Sequence, residues 1–379
     1  MRIAIIILST FFSGSILAQN QEPIEESIKE SEINVESITI SKDKKKTIRS
    51  RKAKTLDAKQ NYSTSSSESQ KFKSYKAASS IQRTQRSPSS AQQSRMDEAV
   101  NSLGLLAPNS FEYHYFKYTA GNYNLSLVSH LNEAEKLRPD NVDVLIHKTA
   151  YNIILGKKNE SIAYANRVYA SGRLSKSVVD YAEDILLSVP QNGTLITHGF
   201  DDFYGAFYSQ GVNNVRPDVQ IISLELLQSE EYRNRLKKKG YVIPSNKIVD
   251  VEFFKKLCSD NSTKNISVSV TTPKEYLRTI SKNLFLTGLV MIYSNTPKEN
   301  FVENEKLWNT TLKKKLISNA SNQKAKQLSA NYLPMLFILR KGYNSTSNKL
   351  KVKEIDLVMD KISVQSNKYN QVQKLKSSY

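Results

Sequence analysis

From Pro190 onward the sequence alternates short apolar runs with longer amphipathic stretches, and no other feature narrows the possible folds as far. TLITHG, residues 194–199, is a brief apolar run bounded by turn residues, and DDFYGAFYSQ, residues 201–210, has helical spacing. VRPDVQIISLELL, residues 215–227, reads as a turn and a second strand, and EEYRNRLKKKG, residues 230–240, as a helix stopped by Gly240. KNISVSVTT, residues 264–272, and FLTGLVMIYS, residues 285–294, supply one strand candidate each. Strands and helices alternating at these lengths predict parallel strands joined by right-handed crossovers. The expected fold is therefore α/β plus all-α: a small, mainly parallel α/β domain over residues 190–300 with helices on both sides.

On the C-terminal side, residues 301–379 are rich in lysine and asparagine, with apolar spacing at Leu328, Tyr332, Leu336 and Leu339. On the N-terminal side, residues 96–189 carry two helical units. NEAEKLRPDN, residues 132–141, ends a helix at Pro139, and residues 142–172 read as helix, glycine turn at Gly156, helix. The phase of about 34 residues resembles the tetratricopeptide repeat, although the second unit lacks its closing proline. Stacked hairpins of this kind expose a concave face that can take a partner. Tyr113, Tyr118, Tyr123 and Tyr151 are the candidates to line it, with core packing as the competing reading of aromatics at helical spacing. His114, His130 and His147 have no Cys, Asp or Glu at a metal-binding spacing and read as ordinary helix residues.

The first 18 residues set the expected compartment. Arg2, an apolar run from Ile3 to Phe12, small residues and Ala18 form a secretory leader with a cut after Ala18. Ser9, Thr10, Ser13, Gly14 and Ser15 leave the run short of the ~20 apolar residues that spanning needs, so no membrane span is expected after cleavage. The single Cys258 forms no internal disulfide, which suits a cystine-free periplasmic protein. Residues 19–95 are Ser-, Gln-, Lys- and Glu-rich and read as a tail without a core. Residues 40–95 hold 15 Lys or Arg against Asp43, Asp57 and Glu68, which is most of the formal net charge of +19. KDKKKTIRSRKAK, residues 42–54, is either an arm for anionic lipid or acidic glycan or a solvated tether; export argues against nucleic acid.

Residues 178–236 carry a more specific signal. Asp180, Tyr181, Ala182, Gly199, Asp202, Tyr208, Gln210, Arg216, Asp218, Val219, Leu226, Leu227 and Tyr232 match, in order, the helix, strand and turn motifs of one family. The stretch resembles the soluble segment of large multi-spanning membrane proteins of unknown function related to protein O-mannosyltransferases, and NISVSVTTPKEY through LFLTGLVMIYS resembles a second region of it. The resemblance implies an α/β domain and a strand ending in Gly-Asp-Asn-Asp. At that strand end this chain has Gly199, Phe200, Asp201 and Asp202, so only the last aspartate is kept, and the membrane-embedded part in which glycosyl transfer would occur is absent.

His198, Asp201 and Asp202 thus stand at an expected strand end, where ligands of open α/β sheets gather, and Arg216 joins them as a family-matched cation. Two readings stand side by side: a site that holds a ligand or exchanges a proton, and a turn at Gly199 with one aspartate capping the following helix. The sequence contains no glycine-rich phosphate loop, nucleophile elbow, His-Glu-x-x-His or paired-cysteine motif. A binding role is expected over turnover, with no cofactor. The leading expectation is an envelope adaptor binding protein partners through its helices; the alternative is an envelope enzyme or glycan-binding protein acting through the His198, Asp201 and Asp202 cluster.

Overall fold

The computed structural model describes residues 70–71, 73–77, 79 and 86–378. The expected leader and most of the expected basic tail lie outside the described residues. Among the latter, no helix is long and apolar enough to cross a membrane.

Helices come first and dominate the chain: α1 Ser90–Leu106, α2 Phe111–Ala120, α3 Val128–Leu137, α4 Val142–Leu155, α5 Lys158–Ala170 and α6 Lys176–Ser188. Their ends follow from local chemistry. Ser89 accepts from the Gln92 N–H while the Gln92 side chain accepts from the Ser89 N–H, a reciprocal capping box. Ser110, Asn141 and Ser175 cap α2, α4 and α6 in the same sense. Gly156 ends α4 at φ +77, a conformation that favours glycine. There Arg235 closes over the helix end, donating to the carbonyls of Ile153 and Ile154. Consecutive helices pack as pairs, α2 on α3 and α4 on α5. Val142 begins α4 31 residues after Phe111 begins α2, against 34 in the tetratricopeptide repeat.

Part of the segment expected as a tail is folded. Tyr75 is 5% exposed, stacks on Phe116 at 4.1 Å and shares a 2.6 Å hydrogen bond with Thr119. Arg86 N–H donates to the Val249 carbonyl at 2.7 Å, and Ser87 Oγ accepts from Val249 N–H at 3.2 Å. The boundary expected at residue 95 therefore falls inside ordered structure.

The α/β part follows as β1 Thr194–Thr197, α7 Gly199–Gly211, β2 Gln220–Ser223, α8 Glu230–Lys238, α9 Val251–Asp260, β3 Ile266–Ser269, α10 Lys274–Thr279, β4 Leu284–Thr287 and β5 Val290–Tyr293. The sheet order is β2-β1-β3-β5-β4, with β2, β1 and β3 parallel and β5 antiparallel to both β3 and β4. The sheet is mixed, where a mainly parallel one was expected. The cause is FLTGLVMIYS, which folds into two strands and not one: Gly288, at φ +59, opens a two-residue turn between β4 and β5. Gly288 N–H donates to Asn304 Oδ1 at 2.7 Å and Leu289 N–H to Ser188 Oγ at 3.0 Å, so the turn is pinned on both sides.

The chain ends in α11 Phe301–Lys306, a π-turn Leu307–Thr311, α12 Lys315–Ser318, α13 Gln323–Ser329, α14 Leu333–Ser345, α15 Lys349–Gln365 and α16 Tyr369–Ser377. These helices join the core through α6, on which both α12 and α13 pack. Asp184, fully buried, accepts from the backbone N–H groups of Lys313 and Lys314 and from the Tyr332 hydroxyl at 2.6–2.8 Å. Lys315 adds ion pairs to Asp180 at 3.1 Å and Glu183 at 2.8 Å. The α7 helix lies so close to α6 that a Cβ on Gly205 would stand 3.0 Å from both Ala182 and Val178.

Candidate functional site

Strand order decides where a site can form. The chain leaves β1 through α7 to β2 on one side, then returns through α8 and α9 to β3 on the other. Connections diverge between the carboxyl ends of β1 and β3, the switch point at which open α/β sheets bind ligands. His198, Gly199 and Asp202 issue from β1 there, and Ser269, Thr271 and Thr272 from β3.

Gly199 begins α7 at φ +81, and among the described residues beyond its own turn nothing stands within 4 Å of where a Cβ would project, so there is open space beside the turn. His198 occupies the N-cap position without a side-chain capping bond; its ring is 3% exposed and 5.9 Å from that of Tyr276. Neither aspartate caps the helix. Glu225 takes that part from beyond β2, its Oε1 accepting the Gly199 N–H at 2.8 Å, while Ser223 donates to its Oε2 at 3.2 Å. Arg86 pairs with Glu225 at 3.6 Å.

The two aspartates part company. Asp201 is held by Lys324 of α13 at 2.5 Å. Asp202 turns inward, is 1% exposed, and accepts from Thr271 through Oδ2; the Ser269 hydroxyl lies 2.7 Å from that of Thr271, behind this bond. Its other oxygen, Oδ1, is buried with no hydrogen-bond partner among the described residues. Two more buried atoms on the stretch from β3 into α10, Thr272 Oγ1 and Glu275 Oε2, share that condition. Unmatched buried polar atoms are rare in folded proteins, and each costs stability. Burial pushes the Asp202 carboxyl up to about 7, with Asp201 and Glu225 adding to the rise and the Thr271 and Ser269 hydroxyls opposing it. A carboxyl so placed can accept, donate or exchange a proton near neutral pH.

Arg216 does not join this group. It precedes β2, at the amino ends of the strands, with φ +49. Its guanidinium forms a fork with Asp218 at 2.8 Å and donates to the Leu186, Val189 and Pro190 carbonyls, closing the end of α6. Asp218 is accordingly held down to about 2 by its bond to Arg216. Gln210 donates to the carbonyls of Arg216 and Val219, so it too is structural. Phe200 stacks on Tyr204 at 4.8 Å under the Arg173 guanidinium at 4.2 Å.

The four tyrosines divide similarly. Tyr118 is fully buried with Leu131, Ala134 and Val144, and Tyr151 packs on that cluster. Tyr113 packs on the α1 and α2 core, and Tyr123 on the main core. They are packing residues first, with Tyr113, Tyr123 and Tyr151 keeping partial exposure. Glu225, Thr271, Thr272, Glu275 and Arg86 escaped sequence reasoning. The only signal for them was the run of polar residues closing KNISVSVTT and the lone acid inside SLELL.

No curated protein and no solved structure matches the chain. A family model, TMEM260-associated domain 2, matches residues 178–377, from the third residue of α6 through the last helix, and so spans the whole sheet. That match covers more than half of the sequence, and the chain belongs to the TMEM260-associated domain 2 family.

Proposed function

We propose that the chain is an exported cell-envelope protein that binds a small hydroxyl-rich molecule, such as a glycan unit, at the carboxyl ends of β1 and β3. One observation carries the reading: Asp202 is buried at the switch point with Oδ1 lacking a partner among the described residues. A ligand hydroxyl donated to Oδ1 would complete its hydrogen bonding and recover desolvation already incurred on folding. Thr272 Oγ1 can donate or accept and Glu275 Oε2 can accept, a mixture that suits hydroxyl groups. Glu225 already fills the α7 N-terminus, which weighs against an anionic ligand there. His198, buried beside Tyr276, is the second group placed to handle a proton. The resemblance to proteins related to O-mannosyltransferases agrees with a sugar as ligand, and binding without turnover is the reading we adopt.

The test is a thermal-shift and calorimetric screen of the untagged protein against neutral monosaccharides and disaccharides, with Asp202→Asn and Thr272→Val beside the parent. A sugar that raises the parent's melting temperature by mass action and loses its effect in both variants supports the site. Sugars that shift parent and variants alike, or shift none of them, refute it.

A second reading keeps the helical pairs α2–α3 and α4–α5 as tetratricopeptide-like adaptors for an envelope protein. What favours it is the end of α1, where Leu105 is 88% and Leu106 39% exposed. Changing both to Ser leaves the fold intact and, on this reading, abolishes cross-linking of the chain in intact envelopes; unchanged cross-linking counts against it.

A further inference from the structure

Outside the β1–β3 site, the C-terminal helices α13, α15 and α16 enclose a cavity of about 740 Å³. Its volume falls within the about 300–1,000 Å³ of small-molecule sites, but its lining is of another kind, since such sites are mostly apolar. Five side-chain amides converge on it: Gln323 and Gln327 from α13, Asn367 from the turn after α15, and Asn370 and Gln371 from α16. Asn367 stands at φ +57, where asparagine is favoured for backbone reasons, so the other four carry the argument. Gln323 and Gln327 lie one turn apart on the same face of α13, while Lys324 reaches to Asp201. At the end of α13, Ser329 Oγ accepts from Gln365 Nε2 at 2.8 Å, which ties α15 to this wall of the cavity.

The lining sets the chemistry of an occupant. Among the described residues no carboxylate, imidazole or thiolate lines the cavity, which excludes the ligand sets that metals need. Each amide offers two donors and an acceptor and carries no charge. Amides gathered from two helices therefore match a neutral molecule that itself alternates donors and acceptors, as hydroxyl and acetamido groups do. Lys368 is the one charged group among the lining residues, and burial holds its ammonium below the ordinary lysine range. A ligand that brought a second cation would worsen its position.

Apolar surface is supplied by Val364 and by the ring of Tyr369, which is 48% exposed although it lines the cavity. An exposed tyrosine presents a flat apolar face with a polar tip, and the C–H face of a sugar ring can lie against it. We propose that the cavity between α13 and the start of α16 binds a short neutral oligosaccharide bearing acetamido groups, which pair with Gln323, Gln327 and Asn370 while one ring stacks on Tyr369. The site shares no residue with the β1–β3 cluster and stands independently of it.

Calorimetric titration of the full chain with diacetylchitobiose, its deacetylated form and cellobiose tests the site. Expected is saturable binding of diacetylchitobiose, weaker binding of cellobiose, which lacks the acetamides, and none of the cationic deacetylated sugar. One hydrogen bond corresponds to about a two- to tenfold change in affinity, so Gln327→Ala combined with Asn370→Ala should weaken binding about tenfold or more. Tyr369→Ala should weaken it as well. These side chains are exposed or half-buried, so the variants should melt with the parent. Asp202→Asn separates the two sites: its affinity for diacetylchitobiose at the cavity should equal the parent's. No saturable binding of diacetylchitobiose, equal affinity for the deacetylated sugar, or affinity unchanged in the double alanine variant overturns the site. A matching loss in Asp202→Asn overturns its independence from the β1–β3 cluster.

Discussion

Replacing Asp202 with Asn gives the sharpest test of how the site is built, because the change acts on stability with a sign that depends on pH. Asp202 titrates near 7 in the folded protein against 3.8 for a solvated aspartate, and burial is the main cause. A folded-state value above the unfolded one means that the native protein holds the proton more tightly. Stability from this group is then fully present below about pH 4, falls as pH rises towards 7, and stays lost above it. Each tenfold difference in proton affinity is about 1.4 kcal/mol, so ionised Asp202 costs the fold on the order of 4 kcal/mol at pH 8. Asn has the same shape and no charge. At pH 5, where folded Asp202 is protonated but the unfolded aspartate is already ionised, the variant should exceed the parent by only about 1.6 kcal/mol; at pH 8 it should be the more stable protein by about 4 kcal/mol. Urea unfolding from pH 5 to pH 8, read at constant m, measures the difference directly. Parallel pH profiles for the two proteins would sink the argument, since Asp202 would then be ionised at no cost and its environment would be wet.

Truncation and the α6 clamp supply two further tests. A chain beginning at residue 70 should melt with the full-length protein, whereas one beginning at residue 96 should melt several degrees lower by calorimetry. The longer cut removes buried Tyr75, the Arg86 and Ser87 contacts to Val249 and the Ser89 cap, and the last alone contributes about 1 kcal/mol. Asp184→Ala strips the acceptor from two backbone N–H groups and the Tyr332 hydroxyl inside the core, and should cost about 3 kcal/mol or more in denaturant unfolding, with Asp184→Asn in between because one oxygen still accepts.

How much of this was legible in the sequence differs from element to element, for physical reasons. β1, β2 and β3 were readable because each is a four-residue apolar segment between turn residues. β4 and β5 were not separable: both are almost wholly buried, so neither shows the period-two alternation that marks a strand with one wet face. The clue was Gly288 within the run, and a Cβ there would overlap Ser188 Oγ at 2.2 Å, a contact 100 residues away that no local pattern encodes. The tail was overextended for the opposite reason. Its Ser- and Gln-rich composition hid a capping box at Ser89 and a single tyrosine whose burial depends on α2.

The site divides along the same line. A strand end followed by acids was enough to single out His198 and Asp202, since the carboxyl ends of parallel strands are where chemistry collects. What raises Asp202 above a helix cap is Thr271, 69 residues away, and the burial that β3 imposes. Motif matching alone misled at Arg216, because a family pattern records residues kept for folding and residues kept for chemistry without distinction. Here the structure separates them. Asp180, Gln210, Arg216 and Asp218 are each consumed by ion pairs or by bonds to backbone within the fold. At the switch point Gly199 and Asp202 have something left over: open space at one and an unmatched oxygen at the other. Tyr118 and Tyr181 also keep buried hydroxyls without a partner among the described residues, but inside helical packing; at Asp202 the surplus is a titratable oxygen at the switch point where open α/β sheets bind ligands, and that is why Asp202 bears the functional argument while Arg216 does not.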